Sequence, residues 1–331
     1  MKKTILKTSI LSTVLLSSIA FADTVKCGDK EVGSTFTVGD NIYLVVEDGE
    51  GKYGIKNKDY RNSSYMFSRK LDNGKEEFIR FCTSHVTDMS EVFRESRIDD
   101  SIEDWDTSQV TDMSAMFAAS GFNQNISKWD VSNVTDMSAM FAGASDFDQD
   151  LSEWNTKSVK NMSGMFANTS FNQAIGGWDV SNVEDMSKMF VKNSDFNQDL
   201  SNWNVKSLKN VAFMFTYAEN FYGYGLDKWK TPSLENMQGT FMSAKIFNAK
   251  IGGWDVSHVT SMKTTFAYAE SFNQPLDKWD TSSVTDMSAM FIDATMFDQD
   301  ISSWDVSKVS KHNQFADGNS SLDQSNQPKF K

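Results

Sequence analysis

Apolar positions recur along this chain with a period of about 25 residues. The tryptophans fall at Trp105, Trp129, Trp154, Trp178, Trp203, Trp229, Trp254, Trp279 and Trp304, in steps of 24 to 26, and none lies outside the series. One unit reads Phe122-Asn-Gln-Asn-Ile126-Ser-Lys-Trp129-Asp-Val131-Ser-Asn-Val134-Thr-Asp136-Met137-Ser-Ala-Met140-Phe141. Trp129 and Val131 stand two apart, the spacing by which a short strand shows one face to a core. Val134, Met137, Met140 and Phe141 change to the spacing of one side of a helical turn. The pattern predicts coils of short strand, short helix or 3-10 segment, and return loop. A period of this size marks a solenoid, in which each coil buries its apolar residues against its neighbours. The expected fold class is an α/β repeat solenoid over 85–315, with the nine tryptophans in its core.

The polar positions are periodic as well. The residue two after the valine is Asp88, Asp112, Asp136, Asn161, Asp185, Asn210, Asn236, Ser261 or Asp286. This is the set that caps helix N-termini, so these acids are expected to be caps and not catalysts. The loop phenylalanine is followed by an amide ladder, Asn123-Gln124, Asp148-Gln149, Asn172-Gln173 and Asn197-Gln198, expected to hold turning backbone. A third column follows tryptophan and includes Asp130, Asp179, Asp255 and Asp280. Carboxylates stacked at the spacing of adjacent strands repel, and calcium would relieve them. Alternatively each bonds its own turn. No other cofactor is suggested.

Composition sets the ends and the compartment. Lys2, Lys3 and Lys7, an apolar stretch to Ile19, and Ala20-Phe21-Ala22 read as a secretory signal peptide over 1–22. Removing three lysines and no acid moves the formal charge from −13 to −16. Such a chain is a poor partner for nucleic acid. No later run is long and apolar enough to span a bilayer, so the mature chain is expected to be exported without a transmembrane segment: periplasmic, secreted or at the cell surface. Export permits a disulfide between the two cysteines, Cys27 and Cys82, against the alternative of two buried thiols. Residues 23–84, with strand-like Thr35–Val38 and Ile42–Val46, are expected to form a β cap or, alternatively, an independent binding domain. Residues 316–331 are polar and expected to be a flexible tail.

The units Trp129-Asp-Val-Ser-Asn-Val-Thr-Asp-Met-Ser-Ala-Met-Phe141 and Trp279-Asp-Thr-Ser-Ser-Val-Thr-Asp-Met-Ser-Ala-Met-Phe291 closely resemble the repeat of BspA-type leucine-rich repeat surface proteins of mycoplasmas, listeriae and other bacteria. The resemblance covers about 70% of the chain. It implies a curved, leucine-rich-repeat-like solenoid and a role in adhesion or protein binding. The chain departs from that family in showing no wall-sorting signal or lipobox.

Catalysis finds little support. His85, His258 and His312 sit in widely separated coils, and no nucleophile or metal-ligand spacing includes them. The expected function is a protein-binding or adhesion module with a protein or cell-surface ligand; the alternative is a structural envelope protein, calcium-stabilised and without a specific ligand. The residues before tryptophan differ between coils, as in Ser127-Lys128, Gly176-Gly177 and Gly252-Gly253, which favours recognition. The candidate contact site is the one disturbed coil, 217–230. There Tyr222 and Gly223 replace the amide ladder, Lys230 replaces the post-tryptophan acid, an extra residue precedes Trp229, and Tyr217 and Tyr224 add rings.

Overall fold

The computed structural model describes residues 23–60, 66–98, 100–319 and 321–331; the expected leader, 1–22, lies outside them. Two small sheets form in the N-terminal segment. Strands β1 (Thr35–Val38), β2 (Asn41–Val45) and β5 (Arg80–Cys82) lie in the order β1-β2-β5, with β1 antiparallel and β5 parallel to β2. Strands β3 (Ser68–Lys70) and β4 (Glu76–Phe78) pair separately. Cys27 and Cys82 are joined by a disulfide, with Cα atoms 6.3 Å apart.

From residue 88 onward the chain winds through stacked coils. A continuous series of parallel bridges runs Asp88, Asp112, Asp136, Asn161, Asp185, Asn210, Asn236, Ser261, Asp286, Lys311. Beyond each bridge, alternate residues donate to the following coil: Met113 N–H to Asp136 O, Ala115 to Ser138, Phe117 to Met140 and Ala119 to Ala142, all at 2.7–2.9 Å. The residues between them, Met116, Ala118 and Ser120, donate three residues back within the coil.

This arrangement corrects the expected helix. Ala115 and Ala119 have φ of 50° and 53°, and positions four apart repeat this left-handed geometry through Lys188 and Lys192, Phe213 and Tyr217, and Ala289 and Asp293. A right-handed helix cannot contain such residues. Their effect is to rotate successive peptide planes, so that half the N–H groups face the neighbouring coil and half close turns. The carboxylate of Asp136 accepts the Ser138 N–H at 2.7 Å, and Asp112 and Asn161 do the same for Ser114 and Ser163. These side chains form Asx turns rather than helix caps.

The expected strand at Ile126-x-x-Trp129-x-Val131 is corrected too. Trp129 N–H bonds Ile126 O at 3.1 Å and Val134 N–H bonds Val131 O at 3.0 Å, which makes two successive reverse turns. The parallel pairing falls instead in the column of Asp136. What joins coils on the tryptophan side is the indole. Trp129 Nε1 donates to Ile102 O at 3.1 Å, and the same bond links Trp154 to Ile126, Trp178 to Leu151 and each later tryptophan to the preceding coil, as far as Trp304 to Leu276.

The core is a set of aromatic columns. All nine tryptophans are buried, and so are Met162, Met165 and Phe166 of a central coil. Within a coil two phenylalanines stack at 3.8–4.2 Å, as in Phe117 with Phe122 and Phe291 with Phe297. Between coils the rings stay parallel: Phe117 to Phe141 at 5.6 Å, and Trp229 to Trp254 at 5.5 Å.

Both ends of the stack are covered. The first coil lacks a predecessor to receive its N–H groups, and Asp48 supplies the acceptor: its carboxylate takes Thr87 N–H at 2.8 Å and Asp88 N–H at 2.9 Å. Lys56 completes the contact with an ion pair to Asp88 at 2.8 Å, while Phe67 and Phe81 meet Trp105. At the other end the expectation of a flexible tail is corrected. Leu322 and Pro328 are buried, Asn326 O accepts Ile301 N–H at 2.9 Å, and Phe330 stacks on His312 at 4.3 Å. A bare terminal coil exposes its core, and the tail removes that exposure.

Candidate contact surface

Extra length in one coil is placed by two glycines. Gly223 and Gly225 have φ of 96° and 85°, a region costly for other residues. A Cβ on Gly223 would stand 2.7 Å from Ala249 Cβ and from the Phe247 ring, and one on Gly225 would stand 2.1 Å from Ser201 N. The backbone therefore lies tight against both neighbouring coils, and a 3-10 turn, Leu226–Lys228, absorbs the added residue. Nothing inside is disturbed. Leu226 and Trp229 are buried, Trp229 Nε1 reaches Leu200 O at 3.2 Å, and Leu200 N–H gains a bond to Tyr224 O at 3.1 Å.

The insertion is expressed on the outside. Tyr222 and Tyr224 are 41% and 51% exposed, with ring centroids 5.0 Å apart. Tyr222 N–H keeps the ladder bond, donating to Asn197 Oδ1 at 3.0 Å, while its side chain is free of that ladder. In a regular coil the matching residue is occupied: Asn123 Oδ1 receives Asp148 N–H at 3.2 Å and Gln149 Nε2 at 2.9 Å. Tyr217, also exposed, belongs to a different column, the left-handed positions that include Tyr268. Lys230 is exposed in the column of Asn204 and Asp255. The structure thus brings Tyr222 and Tyr224 together, and no ring or ion contact joins Tyr217 or Lys230 to them among the described residues.

The acidic column is engaged locally. Asp130, Asp179, Asp255 and Asp280 accept the N–H of Ser132, Ser181, Ser257 and Ser282 at 3.0–3.1 Å. Those bonds hold Asp179, Asp255 and Asp280 below the usual carboxylate range. Asn155 and Lys230 interrupt the column, and among the described residues no group of three or more His, Cys, Asp or Glu is gathered to hold a metal ion. The histidines are apart: His85 meets Lys30 O, His258 meets Ser257, and His312 stacks on Phe330.

One sequence signal of recognition has a packing explanation. A Cβ on Gly176 would stand 2.6 Å from Asp199 O, and one on Gly252 2.4 Å from Pro275 O. Glycine is required there by the next coil, so variation at these two positions does not report on a ligand.

Three tandem segments, 61–170, 149–224 and 220–329, match the family model described as Mycoplasma protein of unknown function, DUF285. The chain belongs to that family. The matched segments run through the whole tryptophan series and leave β1 and β2 outside. No curated protein and no solved structure matches the chain. No helix among the described residues is long and apolar enough to cross a membrane.

Proposed function

We propose that this family member is an exported, surface-exposed binding module. Its coils form a leucine-rich-repeat-like solenoid of the BspA type, and residues 23–84 cap its first coil. The ligand is a protein or cell-surface component, and its contact site is the disturbed coil. The observation that carries this reading is the Tyr222–Tyr224 pair, exposed where a regular coil has one residue holding the next coil and one holding its own turn, above an undisturbed core. Amphipathic rings held on a rigid support suit a contact surface, because little conformational freedom is lost on binding. No catalytic role is proposed.

The structural alternative is favoured by the other coils, whose polar groups are largely engaged with their neighbours. The two readings separate in one experiment. The immobilised chain and its Tyr222→Ser/Tyr224→Ser variant are offered cell-envelope and host-surface extracts at equal melting temperature. A component captured by the parent and lost with the variant supports the module. Capture that is absent from both, or unchanged, supports the structural role.

A further inference from the structure

The junction between the N-terminal segment and the first coil contains a half-paired buried carboxylate. Asp104 is 4% exposed. Its Oδ2 accepts the Tyr43 hydroxyl at 2.6 Å and lies 3.6 Å from Arg80 Nη1. Burial, and then the bond to Asp104, push the Tyr43 hydroxyl above its usual range, so it remains a donor. Oδ1 has no partner, the one buried side-chain oxygen or nitrogen among the described residues of which this is true. Buried carboxylates are ordinarily satisfied on both oxygens, and an orphan calls for a missing donor.

An open cavity of about 500 Å³ adjoins this residue, with Asp104, Tyr43, Arg80, Phe36, Val25 and Asp23 in its wall. The charged groups facing it are Asp23, Lys26, Arg80 and Asp104. Asp23 and Val25 directly follow the expected leader, and Val25 N–H donates to Asp104 O at 2.9 Å. The Asp23 nitrogen is two residues upstream, at most about 7 Å of extended chain from that bond. The sequence expects cleavage between Ala22 and Asp23. Hydrolysis by a processing peptidase adds water across that peptide bond, leaving a carboxylate on Ala22 and an amine on Asp23 that takes up a proton.

We propose that the cavity is an ammonium site, and that its occupant is the α-ammonium released on Asp23, which pairs with Asp104 Oδ1 and fastens the N-terminal segment to the first coil. Before cleavage the same nitrogen is an amide without charge. Processing then does more than release the chain: it supplies the donor that the buried carboxylate lacks.

The test uses the chain beginning at Asp23, with its amino terminus free or acetylated, each with Asp104 or with Asp104→Asn. Acetylation removes the terminal charge. The α-amine of the parent should titrate above its ordinary ~7.7–8.0 by roughly one unit, and should return to that range in D104N. Acetylation should lower the melting temperature of the parent clearly and that of D104N little. An ordinary α-amine titration in the parent, or an equal effect of acetylation in both chains, overturns the proposal. A gain in melting temperature on adding 1,5-diaminopentane that is the same for free and acetylated chains assigns the cavity to an external amine, and equally overturns the internal occupant.

Discussion

Two coils of the same array treat equivalent positions in opposite ways. In the coil of Trp129, Asn123 and Asn125 are engaged by hydrogen bonds: Asn123 holds Asp148 and Gln149 of the next coil, and Asn125 holds Ser127 of its own turn at 3.0 Å. In the coil of Trp229 the corresponding residues are Tyr222 and Tyr224, whose rings touch each other and face solvent. The buried side is nearly identical in both, since Trp129 and Trp229 are each buried and each donate to the preceding coil. A stack of this kind tolerates change on its rim as long as indole, phenylalanine columns and turn carbonyls keep their register. Side chains that leave the ladder are then available to a partner.

The largest expected effect lies in the part both coils share. Trp154→Ala should cost about 3–5 kcal/mol, whereas Trp154→Phe, which keeps a ring but leaves Ile126 O without its donor, should cost about 1–3 kcal/mol. Equilibrium urea unfolding measures both, and an inconsequential Trp154→Ala would mean that the indole column is not shared structure. Next comes the capped end: replacing Cys27 and Cys82 by serine should remove about 2–4 kcal/mol, seen as a lower melting temperature and earlier exchange of the amides in β2 and β5.

Close approach between coils predicts a smaller, local effect. Gly176→Ala should destabilise by about 1–3 kcal/mol through its clash with Asp199 O, while Gly177→Ala, with open space around its Cβ, should change the melt little. Smaller still is the acid response of the regular coils. Asp179, Asp255 and Asp280 titrate below their ordinary value in the folded chain. A group depressed on folding contributes stability above its unfolded pKa of ~3.9, and that contribution is lost as pH falls through the folded value. The melting temperature should therefore drop on acidification below pH ~4, and drop less in a triple Asp→Asn variant. Because these carboxylates already bond their own turns, a melt in chelator should match one in calcium; a clear rise with calcium would show that the column gathers cations.

Much of this contrast can be read from the sequence, and some of it cannot. The period, the inward tryptophans and the odd coil follow from spacing alone. The turns do not, because a chain with left-handed residues four apart imitates helical spacing at Val134, Met137, Met140 and Phe141. The signal for left-handed geometry is glycine or asparagine, and it is faint here: Gly143, Gly164, Asn168, Gly239 and Gly318 occupy those columns, whereas the other positions hold residues as varied as Glu91, Ala115, Lys188, Phe213, Thr264 and Gln314. The indole bonds are hidden because the burial of a tryptophan explains its recurrence equally well. Asp48 and Phe330 cover the ends through contacts 39 and 18 residues distant in sequence, which no local pattern reports.

A double comparison of paired variants tests whether the disturbed coil is the contact surface. Tyr222→Ser/Tyr224→Ser and Asn123→Ser/Asn125→Ser alter matching positions of the two coils, and each is scored for melting temperature and for capture of the envelope or host component. The tyrosine pair should lose capture and keep its melt; the asparagine pair should lose melting temperature and, while folded, keep capture. If the tyrosine variant captures as the parent does while its melt falls, Tyr222 and Tyr224 are packing residues and the contact surface lies elsewhere.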